Sequence, residues 1–147
     1  MLSTMEKVRV LRAMDLFAEV PVEELAGIAY LAHEIAFAPG VRFITQGDPG
    51  DAVYIVVSGA VEIVVAGLGP VARRVAPTIL GEMALFTRNP RTAHCVTSSA
   101  ITALRIAQDD FRLLLAAKPG LAYGIIRVLA TRLEELTAGP TLASPSP

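Results

Sequence analysis

The chain has 147 residues, 53% hydrophobic and 18% charged, with 13 basic and 14 acidic side chains and a net charge of −1. That length suits one domain with a sizeable core, and that composition excludes disorder over most of the chain. Near-neutral charge without a basic run argues against broad electrostatic nucleic-acid binding; one cysteine excludes an internal disulfide framework and suits a reducing, cytoplasmic compartment; two histidines are too few for most metal centres.

Val8, Leu11 and Met14 form a short helical stripe, followed by Leu16 and Phe17. Pro21 opens a second helix with Glu23 and Glu24 in its first turn, where the dipole favours acid, and Leu25, Ile28 and Ala29 on its apolar side. From His33 the period changes to two. Ile35/Phe37, Val41/Phe43/Thr45, Val53/Ile55/Val57 and Val61/Ile63/Val65 alternate between turns rich in Gly, Pro and Asp, and further runs follow at 94–97 and 101–106. The nearly uncharged run 52–72 is broken by Glu62 and three glycines and reads as two strands, not a membrane span, despite a mean hydropathy of +0.54. No basic segment followed by an apolar block marks a signal peptide. Helix returns at Gln108, with Asp109 and Asp110 in its first turn, and Pro119 restarts it. The last helix, to about Ala138, carries Ala122, Ile125, Leu129, Leu133 and Leu136 as one apolar stripe. The expectation is a mainly β domain over 1–138, an antiparallel sandwich or barrel flanked by helices, and a disordered tail over 139–147.

The chemistry concentrates in Gly81-Glu82-Met83-Ala84-Leu85 and Pro90-Arg91-Thr92-Ala93. Gly81 permits a tight turn. A helical turn over 82–86 would present unpaired N–H groups to an anion, and Arg91 offers a planar, permanently charged fork for phosphate oxygens. Glu82 would repel a phosphate, so its partner is expected to be a neutral hydroxyl such as a ribose 2′-OH, with Arg91 as its ion-pair partner in the empty pocket. A lone Glu–Arg pair is more often a structural ion pair than a binding site; it is the whole pattern inside a strand-rich domain that is specific.

That pattern is similar to the phosphate-binding cassette of the cyclic nucleotide-binding domain family of catabolite activators, cyclic-nucleotide-dependent kinases and gated channels. Gly47-Asp48-Pro49-Gly50-Asp51 with Tyr54, Val56 and Gly59 resembles the family's upstream signature, and Leu16-Phe17 with Glu23-Glu24-Leu25 resembles its N-terminal helices. The resemblance runs from about Val8 to Leu136. It implies a β-roll of jelly-roll type with N-terminal helices and a C-terminal lid helix, and a ligand-binding site at Gly81, Glu82, Met83, Ala84, Arg91, Thr92 and Ala93. Glu82 would accept the ribose hydroxyl, Arg91 would pair with the cyclic phosphate, and the N–H groups of Ala84 and Thr92 would complete the cradle. A threonine after the arginine accompanies cGMP binding in the family, but no second residue reads guanine, so cAMP is preferred over cGMP. The segment 73–80 departs from the family by carrying Pro77 where a glycine turn is usual. Tyr123, Arg127 and Thr131 are candidates to meet the base, each more readily explained as a surface or packing residue.

The implied function is a regulatory sensor without a catalytic role, cofactor or metal, using Gly120 and Gly124 for movement or packing, and the last helix for packing on the roll, homodimerisation or an effector protein. A nucleotide-independent interaction module on the same fold is the main alternative. A metal-dependent jelly-roll enzyme lacks the histidines. A DNA-binding regulator would need a helix-turn-helix beyond the last helix, for which the short tail leaves no room, so no DNA-binding domain is expected.

Overall fold

The computed structural model of the chain describes residues 1–143, so the remaining residues of the expected tail lie outside the described ones. Helix α1 (Thr4–Arg12) is capped by Ser3, whose side chain accepts from the Glu6 N–H while the Glu6 carboxylate accepts from the Ser3 N–H. A 3₁₀ turn (Asp15–Phe17) buries Leu16 and Phe17, and Pro21 precedes α2 (Val22–Leu31) as its cap residue.

Eight strands follow among the described residues: β1 (His33–Phe37), β2 (Arg42–Ile44), β3 (Ala52–Ser58), β4 (Ala60–Val65), β5 (Gly69–Val75), β6 (Thr78–Leu80), β7 (His94–Thr97) and β8 (Ile101–Ala107). They form two antiparallel sheets, ordered β1-β8-β3-β6 and β2-β7-β4-β5. The one-turn helix α3 (Met83–Phe86) lies between β6 and β7, and α4 (Gln108–Ala117) and α5 (Pro119–Ala143) close the chain. This is the expected helix-flanked β-roll. Two strands were not expected from periodicity. β5 juxtaposes Arg73 and Arg74, and β6 is three residues long beyond Pro77, which follows a cis peptide bond.

Strand β3 explains the layering. Val53 and Ile55 face a cluster with Leu104 and Ile106 of β8 and with Leu11, Leu16, Phe17, Leu25, Ile28, Phe111, Leu121 and Ile125 of the helical segments. Its alternate residues Ala52, Tyr54 and Val56 face a second cluster between the sheets, with Ile44, Val61, Leu80, Cys95 and Ala103. The strand is therefore apolar on both faces, as a strand covered on both sides must be.

The expected stripe on α5 is divided. Ile125 is buried and Ala122 and Leu129 are half-buried against the domain, whereas Leu133 and Leu136 are exposed. The helix runs past Ala138 to Ala143. Gly120 and Gly124 act in packing: a Cβ would lie 2.6 Å from a Glu24 carboxylate oxygen at the first, and 2.9 Å from Val20 and 3.0 Å from the Glu19 carbonyl at the second. No single helix among the described residues is long and apolar enough to cross a membrane.

Candidate functional site

Arg91 organises the site. Its backbone N–H donates to the Asp48 carbonyl (2.8 Å), and its carbonyl accepts from the Gly47 N–H (2.8 Å), so the β2–β3 turn and the cassette are joined like two strands. Its side chain is only 6% exposed. Burying a guanidinium costs several kcal/mol unless fixed partners offset it. Here Nη2 donates to the Ala52 carbonyl at 2.7 Å and pairs with the Asp51 carboxylate at 3.4 Å, while Nη1 reaches the Gly81 carbonyl at 3.5 Å. Asp51 also pairs with Arg105 at 3.5 Å, and its own side chain is 71% exposed. The upstream signature and the cassette are thus two halves of one cage. Asp51 was not among the candidate site residues, although it stands in the signature, and it takes the ion-pair role expected of Glu82.

Two glycines make the close approach feasible. Gly81 has φ +82°, and a Cβ there would run into Arg91 Nη1; a Cβ at Gly50 would run into the Ala84 side chain. Ala84 is buried, and its N–H donates to the Gly81 carbonyl at 3.3 Å, so this cradle donor is engaged within the turn. The Ala84 carbonyl in turn accepts from Gln108 Nε2 and from Arg112 Nη2 (3.4 Å), tethering α3 to α4.

A cavity of about 180 Å³ gathers Gly81, Glu82, Arg91, Thr92 and Ala93, together with Ile44, Ile63, Arg74 and Cys95 from the sheets. Met83 and Ala84 lie elsewhere: Met83 is exposed and lines an adjoining cavity of about 460 Å³, which shares Arg74, Ile79 and Glu82 with the first and is otherwise mostly apolar, with Met14, Leu16, Phe86 and the α5 residue Leu129. Tyr123, Arg127 and Thr131 line neither; Arg127 pairs with Glu19 at 3.6 Å and lies over the Tyr123 ring. His94 is structural, accepting the Gln46 N–H at Nδ1 (2.9 Å). The Cys95 thiol is pushed up to about 11 by burial, against the opposing pull of Arg91 and Arg74, so at neutral pH it is a protonated apolar wall of the cleft. Arg74 and Cys95 escaped sequence reading because only the pairing of β5 and β7 with β4 brings them to the cleft.

A cavity with a caged arginine at one end and a carboxylate beside it can hold an anion next to a hydroxyl. A family profile described as cyclic nucleotide-binding domain matches residues 34–118. The chain is 29% identical over 130 residues to a CRP-like cAMP-activated global transcriptional regulator of Mycobacterium tuberculosis, covering 84% of this chain and 57% of that protein. It is 32% identical over 106 residues to a cAMP-dependent protein kinase regulatory subunit of Aspergillus niger, covering 71% of this chain and 26% of that one. Its fold matches the crystal structure of the N-terminal domain of a transcriptional regulator from Streptomyces coelicolor A3(2), with a TM-score of 0.78, 30% identity, and coverage of 86% of this chain and 94% of that domain. The chain spans little more than half the length of the mycobacterial regulator and about a quarter of the kinase subunit. With the profile running from β1 through α4 and across the whole cage around Arg91, the chain belongs to the cyclic nucleotide-binding domain family, a regulatory rather than an enzymatic one.

Proposed function

We propose that this chain is a sensor that binds a purine 3′,5′-cyclic mononucleotide in the cleft between Arg91 and Arg74. The observation that carries the reading is the buried Arg91 guanidinium. Its strongest bond, to the Ala52 carbonyl, fixes the group, while its 3.5 Å contact to the Gly81 carbonyl is at the limit of a hydrogen bond and leaves donors for a phosphate. The cyclic phosphate pairs with Arg91 and with the N–H of Thr92. The long Ala84–Gly81 bond is exchanged for a phosphate oxygen, and Glu82 accepts from the ribose 2′-OH. The named relatives support cAMP, and Thr92 leaves cGMP open. A buried free thiol supports a reducing compartment, and the module is placed in the cytoplasm.

Binding acts by shifting an equilibrium between arrangements of the cassette and the C-terminal helices. The exposed Ile126, Leu133 and Leu136 of α5 support an output through a second copy or an effector protein. Calorimetric titration of the purified chain with cAMP and cGMP tests the central reading. Arg91→Ala removes a charge-assisted contact worth about 1.5–3 kcal/mol and is expected to weaken binding roughly ten- to a hundredfold; unchanged affinity in a variant with a native circular-dichroism spectrum sinks the phosphate assignment. The output face is tested by Leu133→Ser: sedimentation should show a dimer in the wild type and loss of it in the variant, and a wild-type monomer with and without nucleotide overturns the homodimer.

A further inference from the structure

A further cavity, of about 270 Å³, is lined by Arg88, Asn89, Gln108 and Arg112 around Gly50 and Ala84, and shares no lining residue with the cleft. It adjoins the Arg91 cage through those two small residues: a Cβ on Gly50 would run into the Ala84 side chain and lie 3.8 Å from Arg91 Cζ. No carboxylate lines it. Asp109 and Asp110, which follow Gln108 on α4, are exposed and lie outside its wall. Arg88 makes no ion pair within 4 Å among the described residues.

The backbone at Arg88 adds a second observation. Arg88 follows Thr87, the residue that ends α3, and has φ +58°, the one positive φ outside glycine among the described residues. Glycine is the usual residue just past a helix end in this conformation, because a Cβ is disfavoured there. An arginine kept in a glycine's place points to a use for its side chain. Arg112 adds a second fork. Its Nη2 is 3.4 Å from the Ala84 carbonyl, a long bond, and Gln108 Nε2 donates to the same carbonyl. Arg112 can therefore turn toward a ligand without leaving that carbonyl unpaired.

We infer that this cavity is a second anion site, separate from the nucleotide cleft, and that it takes a phosphate group. Two guanidiniums facing one space carry donors only, and each repels the other until an anion stands between them. A carboxylate is satisfied by one fork; a phosphate has oxygens enough to bridge two. Asn89 adds a neutral amide donor beside them. The chemistry fits the free ion and a phosphorylated serine or threonine alike. The site does not depend on the nucleotide reading, because it uses neither Arg91 nor Glu82.

The test is calorimetric titration of the full chain with inorganic phosphate at constant ionic strength, in the wild type and in Arg88→Gly, Arg112→Gln and Arg91→Ala. Arg88→Gly and Arg112→Gln should each weaken phosphate binding on the order of tenfold. The event they weaken should survive Arg91→Ala. Arg88→Gly should at the same time raise the thermal midpoint by about a few degrees, since glycine suits that backbone; a loss of binding in a more stable chain separates the side chain's use from any part in folding. Unchanged phosphate affinity in Arg88→Gly overturns the inference. Loss of binding in Arg91→Ala alone assigns the phosphate to the cassette and overturns it too, as does equal binding of chloride, which reveals a diffuse positive field. A phosphoserine tetrapeptide, titrated in parallel, distinguishes the sources: tighter binding than inorganic phosphate supports the site as a reader of a phosphorylated segment, and weaker binding supports it as a site for the free ion.

Discussion

The two faces of β3 divide the work of the domain. Toward the helices, Val53 and Ile55 enter a dry cluster that includes the Phe17–Phe111 pair, with ring centroids 6.2 Å apart. Toward the opposing sheet, Tyr54 and Val56 enter a smaller cluster that borders a cleft lined by two arginines, a glutamate and a thiol. One strand thus separates a face whose residues hold the fold from a face whose residues leave room for a ligand. Stability and binding should therefore respond to different substitutions.

The strongest test of that division is Phe111→Ala. Truncating a fully buried phenylalanine costs about 3–5 kcal/mol through lost burial and the cavity left behind; denaturant unfolding should record that loss, while nucleotide affinity of the folded fraction stays near wild type. An equal fall in affinity would show that the helical cluster is part of the binding site. Gly81→Ala should do the reverse. A left-handed alanine costs roughly 1–2 kcal/mol, and its Cβ would displace Arg91 Nη1, so affinity should fall by more than stability does. Retained affinity in titration would mean that the cage around Arg91 adapts.

The smallest effect concerns Cys95, which belongs to the inter-sheet cluster and the cleft wall at once. Its thiol titrates near 11 in the fold against an ordinary 9.0, because burial disfavours the thiolate. Its contribution to stability is therefore fully present below about pH 9 and lost as pH rises toward 11, since the unfolded chain ionises first. The difference in unfolding free energy between wild type and Cys95→Ala should be flat up to pH 9 and shift against the wild type above it. A shift already under way at pH 7 would mean that Arg91 and Arg74 outweigh burial.

What could be read from the chain follows the same division. Strands buried on one or both faces, such as β3 and β4, announce themselves by alternating Val and Ile. β5 does not, because one of its faces meets solvent and the other the open cleft, so Arg73 and Arg74 stand side by side without an apolar partner between them. The cassette was legible as a motif, with Gly81, Glu82, Arg91, Thr92 and Ala93 gathered around one cavity. The partner of Arg91 was not, because Asp51 lies 40 residues away and meets it only through the pairing of the β2–β3 turn with residue 91. The stripe on α5 was read as continuous, and the fold divides it where the helix leaves the domain surface.

The Ala84 carbonyl, held by Gln108 and Arg112, has a mechanical consequence. Helix α3 is a single turn and has too few internal bonds to resist displacement alone. Its attachment to the first two turns of α4 gives it a lever arm of ten residues that ends at the Lys118 joint, where α5 begins. The Ala84 carbonyl is thus the point at which the cassette and the C-terminal helices share a bond, so a displacement of α3 cannot occur without either breaking those two contacts or moving the start of α4.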